Sequence, residues 1–197
     1  MKYLKFLIPV LAIIVILEAV LLVSNLQMAK KVVTNGSNNA AQVDQNPVAG
    51  ELIAVEVMAE SNEFMVNKKN PVKVVMRAEK AMSLDSVNLF VKYDPKAFVL
   101  SELVSNEAIA KPVFEKISTE KGLVVVNYMI AGSGFTVKAG EEIELASFVA
   151  TGKSVGDYTF EISTGAEAKE SATMFVDTDS SKAVPYSSSA LTVTVSK

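Results

Sequence analysis

The densest group of acids in the chain is Glu141-Glu142-Ile143-Glu144. On an extended strand Glu142 and Glu144 project to one side, and two carboxylates on one side are the minimum equipment for glycoside hydrolysis. Nothing apolar or aromatic near them in sequence suggests a sugar cleft, so the cluster reads as a solvated strand edge. Asp177-Thr178-Asp179-Ser180-Ser181 alternates acids as a calcium loop does, but it lacks the glycine and the closing glutamate of that loop. The chain has no histidine and no cysteine. Its serines therefore have no imidazole base, and thiolate catalysis, disulfides, cysteine-ligated metals and a lipidated cysteine are all excluded. No glycine-rich phosphate loop is present. The expectation is a non-enzymatic protein with no cofactor and no metal.

Charge narrows the partners. The net charge is −3, Arg77 is the sole arginine, and the lysines are scattered. No basic patch exists for a phosphate backbone, so nucleic acid is not an expected partner.

Three segments follow from the hydropathy pattern of the 197 residues. Residues 1–27 read as a membrane anchor. Lys2 and Lys5 precede an apolar run, and Leu4 to Val23 is long enough to cross a bilayer at about 1.5 Å per residue. Glu18 lies toward the outer end, where a carboxylate reaches the interface more cheaply than at the centre. A cleaved signal peptide is the rival reading, but Ser24 and Ala29 have Leu22 and Gln27 where cleavage wants small residues. A type IV prepilin-like leader would have to cut after Ile13 and leaves too few apolar residues beyond Glu18. Lys2 and Lys5 favour a cytoplasmic N-terminus, Lys30 and Lys31 oppose it, and the short leader before a large domain settles on a single-pass protein with its C-terminal domain extracellular. Absence of cysteine fits an exported protein and a reducing compartment equally. Residues 28–50 are small, polar and without apolar period, which predicts a flexible stalk.

From residue 51 to 197 the pattern becomes short apolar runs between turn residues, and the length suffices for one core. Strands are predicted near 52–59, 72–79, 87–93, 98–102, 113–118, 123–130, 142–150, 158–163, 173–176 and 191–195. Asn70-Pro71, Lys121-Gly122, Ala139-Gly140 and Val155-Gly156-Asp157 separate them. Asn106–Lys111 and Ala166–Ser171 look briefly helical. Strands at this spacing predict an all-β sandwich of two antiparallel sheets behind a single transmembrane helix.

The run from Val87 to Phe98, with Tyr93-Asp94-Pro95 at its turn, resembles the strand-and-turn signature of cohesin domains. The segments around it resemble cohesins in order: Ala54 to Val57, Gly122 to Val126, the turn Gly132-Ser133-Gly134, Glu144 to Ala150, Gly156 to Ile162 and Ala190 to Val195. Asn67-Lys68-Lys69-Asn70 stands where a glycine turn is usual. The resemblance implies that this antiparallel β-sandwich is of jelly-roll type and related to carbohydrate-binding modules. It implies a binding module at the cell surface that mediates protein–protein assembly or adhesion, with a dockerin-like protein among the partners. Polysaccharide binding on the same sandwich is the alternative reading, and the absence of tryptophan counts against it.

Period two assigns the faces. Val87, Leu89, Val91 and Tyr93 are expected in the core, with Ser86, Asn88, Phe90 and Lys92 facing out. Ser86 and Asn88 align with polar positions that the resemblance implies for partner contact. By the same parity Val125, Asn127 and Met129 extend that face, with Val124, Val126 and Tyr128 inward. Asp94-Pro95 is a turn-maker: proline presets φ and aspartate caps the turn's amides.

Overall fold

A computed structural model describes residues 52–165 and 171–197. The expected membrane anchor and stalk, and most of the expected helix at Ala166–Ser171, lie outside the described residues. Among those residues no helix is long and apolar enough to cross a membrane.

Two sheets form. The first has five strands: β1 (Ile53–Ala59), β3 (Lys69–Ala78), β5 (Phe98–Ser105), β9 (Glu142–Gly152) and β12 (Tyr186–Ser189), in the order β12-β1-β3-β9-β5. The second has eight. Its main path is β2 (Glu63–Met65), β13 (Leu191–Ser196), β10 (Gly156–Ile162), β4 (Met82–Lys92), β7 (Leu123–Met129) and β6 (Phe114–Ser118). β8 (Phe135–Val137) and β11 (Met174–Asp177) also pair with β4.

All ten predicted strands are present, and the all-β sandwich is as expected. Three short strands, β2, β8 and β12, carry too few residues for a period to be read. Two pairings depart from the expected antiparallel pattern: β1 with β12 and β13 with β2 are parallel. The expected helix at Asn106–Lys111 is a single turn instead. Asn106 Oδ1 accepts from the Ala108 amide at 3.0 Å, and this side-chain capping closes a turn without extending it.

The inner faces meet as alternation requires. Ile53, Val55 and Val57 of β1 face the same interior as Val87, Leu89 and Val91 of β4 and Val124, Val126 and Tyr128 of β7, all buried. Each such side chain contributes about 1.5–3 kcal/mol by leaving water. Phe64, Phe98, Phe148, Phe160 and Tyr158 pack edge-on or tilted, with ring centroids 4.8–6.3 Å apart. Tyr128 ties the two sheets together. Its hydroxyl crosses from β7 to donate to the Leu145 carbonyl of β9 at 2.5 Å, and it accepts from the Asn106 amide at 2.7 Å. Burial pushes this hydroxyl's pKa up.

Candidate docking face

β4 is the spine of the eight-stranded sheet, and both of its edges are taken by strands that break partway along. On one edge β10 pairs as far as Ile162 opposite Val91, and β11 resumes with Met174 opposite Asn88. In the gap, the Phe90 amide donates to the Thr173 hydroxyl at 3.0 Å, and that hydroxyl donates to the Phe90 carbonyl at 3.2 Å. The Ser163 amide donates to the same carbonyl at 2.8 Å. A buried side chain thus stands in for the missing ladder and holds the Phe90 backbone in the sheet. On the other edge β7 pairs from Leu123 to Met129, and β8 takes over after the turn at Gly132 and Gly134. Gly134, at φ +76°, is forced: a Cβ there would collide with the Thr178 hydroxyl and the Leu84 carbonyl.

Register brings all seven sequence-predicted face residues together. Ser86 is opposite Met129, Asn88 opposite Asn127, Phe90 opposite Val125, and Lys92 opposite Leu123. Their inward neighbours Val87, Leu89, Val91, Val124, Val126 and Tyr128 are buried, so the parity read from the sequence matches the structure. Phe90 and Val125 are half-buried, and Met129 is 70 % exposed.

Four more residues join the face from strands whose parity the sequence left unassigned. Phe114 of β6 is opposite Asn127, and Lys116 is opposite Val125. Met174 of β11 is opposite Asn88, and Val176 is opposite Ser86. Phe114, Asn127, Asn88 and Met174 therefore stand abreast on four adjacent strands, spanning about 15 Å at normal strand spacing. Phe114 is 49 % exposed and Met174 38 %. The signal for Phe114 lay in the alternation of 113–118, but the pairing partner that fixes which side faces out is set only by the β7 register.

The polar groups on the face are few. The Asn127 side-chain oxygen is buried and has no hydrogen-bond donor. Lys92 Nζ lies 3.5 Å from Glu161 Oε1 at one end of the face. The β6 end is anchored by Asn106, whose amide bonds the Tyr128 hydroxyl and whose Nδ2 donates to the Glu144 carbonyl at 2.7 Å.

The acidic motifs lie elsewhere. Glu142 sits on the outside of the other sheet, 3.0 Å from Arg77 Nη2 and 3.7 Å from Lys73 Nζ. The expected strand edge is corrected here: β9 lies between β3 and β5, so these carboxylates occupy an interior strand. Glu142 is neutralised by these two bases across the ladder, and Glu141 instead accepts from the Lys138 amide at 3.0 Å. Asp177 Oδ1 accepts from the amide and hydroxyl of Ser180 at 2.8 and 2.6 Å, which closes a turn and lowers the carboxyl's pKa. Among the described residues no group of acids is arranged to hold a metal ion. Asp94 caps its turn as expected, accepting from the Lys96 amide at 2.8 Å. Tyr93 is buried, also as expected.

No family model and no curated protein matches the chain. Solved structures do. One is a type I cohesin–dockerin complex from Clostridium thermocellum: 14 % identity, 83 % of this chain and 99 % of that one, TM-score 0.58. A cohesin module from a family 33 glycoside hydrolase of Clostridium perfringens is also 14 % identical, over 74 % of this chain and 97 % of that one, with TM-score 0.55. A non-cellulosomal cohesin from the hyperthermophilic archaeon Archaeoglobus fulgidus is 12 % identical over 74 % and 92 %, with TM-score 0.54. At these identities the likeness is one of fold, and the fold is cohesin-like.

Proposed function

We propose that this chain is a non-enzymatic assembly module, tethered to the membrane by its N-terminal helix, that docks a protein partner outside the cell on the outer face of the eight-stranded sheet. One observation carries the reading. Phe90, Phe114, Val125, Met129 and Met174 gather on one face of four adjacent strands around Asn88 and Asn127, with Lys116 beside Val125 and the Lys92–Glu161 pair at one end. Contiguous apolar surface rimmed by polar groups marks an interaction site.

The solved cohesins supply the partner class, because several were determined bound to dockerins. The tether rests on the apolar run Leu4 to Val23, and the reach of the domain on the polar stretch 28–50. Against polysaccharide, the chain has no tryptophan, Tyr93 and Tyr128 are buried, and Tyr158 and Tyr186 are half-buried, so no exposed tyrosine platform exists among the described residues. The test is binding of the full chain to a panel of purified dockerins and to a glycan array. Dockerin binding that Phe90→Ala abolishes supports the reading. Saccharide binding without any protein binding overturns it.

A further inference from the structure

The chain has no cysteine, tryptophan or histidine, so methionine thioethers are its softest targets for a two-electron oxidant. Among the described residues three methionines are substantially exposed. Met129 leads at 70 %, followed by Met65 at 49 % and Met174 at 38 %, while Met76 is 1 % exposed. Two of the three fall on the docking face, from opposite sides of β4. Met129 lies across from Ser86 on β7, and Met174 lies across from Asn88 on β11. The third, Met65, stands on the far edge strand β2, beyond β13 and β10.

We propose that Met129 and Met174 form an oxidation site, at which an oxidant of the peroxide class converts the thioethers to sulfoxides and so makes the docking face polar. In each step a sulfur lone pair attacks one peroxide oxygen and the O–O bond breaks. That oxygen stays on sulfur and gives up its proton to the departing oxygen, which leaves as water. Sulfur is oxidised by two electrons and the peroxide is reduced by two. The product is a strongly polar, chiral S–O group in place of a flexible apolar one. Neither side chain is in the core, so the change acts on the face and spares the fold. The consequence for docking rests on the function proposed above; the order of oxidation rests on exposure alone.

The test uses the full chain treated with hydrogen peroxide, with peptide mass mapping, retention on a phenyl resin and a thermal melt read in parallel. Among Met65, Met76, Met129 and Met174, Met129 is expected to gain one oxygen first and Met76 last, with rates differing by about tenfold or more. Retention should fall while the melting temperature holds. Met129→Leu with Met174→Leu should keep its retention after the same treatment. If Met76 oxidises as fast as Met129, or if the double variant loses retention as the parent does, the oxidation site is refuted. A dockerin that binds equally before and after oxidation of both residues also refutes it and leaves the docking reading intact. Failure of every dockerin to bind untreated protein counts against the docking reading, while the oxidation order and retention still decide the site.

Discussion

The two outer faces of the sandwich share a backbone geometry and differ in how their side chains are satisfied. On the five-stranded sheet, Lys73 and Arg77 of β3 meet Glu142 of β9, and Lys69 meets Glu102 of β5. Those charges find partners within the sheet, and its exposed valines, Val99 and Val104, stand on the edge strand β5. On the eight-stranded sheet, Phe90, Val125 and Met129 stand on the interior strands β4 and β7, flanked by Phe114 on the edge strand β6 and Met174 on β11, with two asparagines between them. Water solvates the first face well and the second poorly. A sheet face built from alternating strands needs something on each side, and only one of these faces supplies it from within.

The sharpest way to break this contrast is to move from the face to the core on a single strand. Leu89→Ala removes a fully buried side chain of β4 and should cost about 2–5 kcal/mol of stability in a denaturant titration. Val91→Ala should cost about 1–3 kcal/mol. Phe90→Ala, between them, should leave the melting transition cooperative and close to its parent's, yet weaken partner binding by about 2 kcal/mol or more. If Phe90→Ala melts early and keeps its binding, the docking face is misassigned.

Tyr128→Phe sharpens the contrast from inside. It removes the hydroxyl that joins the sheets and leaves the Asn106 amide only its longer, 3.3 Å bond to the Leu145 carbonyl, so about 1–3 kcal/mol should be lost. The same group sets a pH limit. Burial raises the pKa of Tyr128 above its unfolded value, and those of Tyr93 and Tyr186 likewise. The neutral phenols therefore contribute stability that is complete below the unfolded pKa of about 10 and is lost as pH rises through the folded values. Thermal melts above that pH should fall more steeply for the parent than for Tyr128→Phe.

On the charged face, Arg77→Ala should cost less than about 1 kcal/mol, because both partners are solvent-exposed. Binding to a partner on the opposite face should not change. A large loss of binding in Arg77→Ala would place the interface on the wrong sheet. The smallest effect belongs to Asp177. Ser180 holds its carboxyl below the usual value through side-chain and backbone hydrogen bonds. Its contribution is present above the unfolded pKa and fades as pH falls through the folded one. An NMR titration of Asp177 in the parent and in Ser180→Ala should show the midpoint rising in the variant.

Much of this was legible in the residues. Alternation assigned the side chains from Ser86 to Tyr93 and from Val124 to Met129 to their sides, because successive residues of a strand point opposite ways. Asp94-Pro95 and Lys121-Gly122 placed turns for local reasons. Gly122 at φ +61° faces the Tyr93 carbonyl, which a Cβ would approach to 2.5 Å. Composition removed the catalytic residue types. These properties are local, and neighbours in sequence suffice to specify them.

What the sequence left open depends on contacts between distant segments. It did not show that β10 and β11 share one edge of β4, or that Thr173 patches the ladder at Phe90 across 83 positions of sequence. It placed Glu142 and Glu144 on one side of a strand but did not reveal Lys73 and Arg77 beside them, because ladder partners are chosen by tertiary register. Phe114 and Met174 joined the face for the same reason. Periodicity fixes which way a side chain points relative to its own strand. Only the assembled sheet decides whose side chains stand next to it, and a docking face is a property of neighbours.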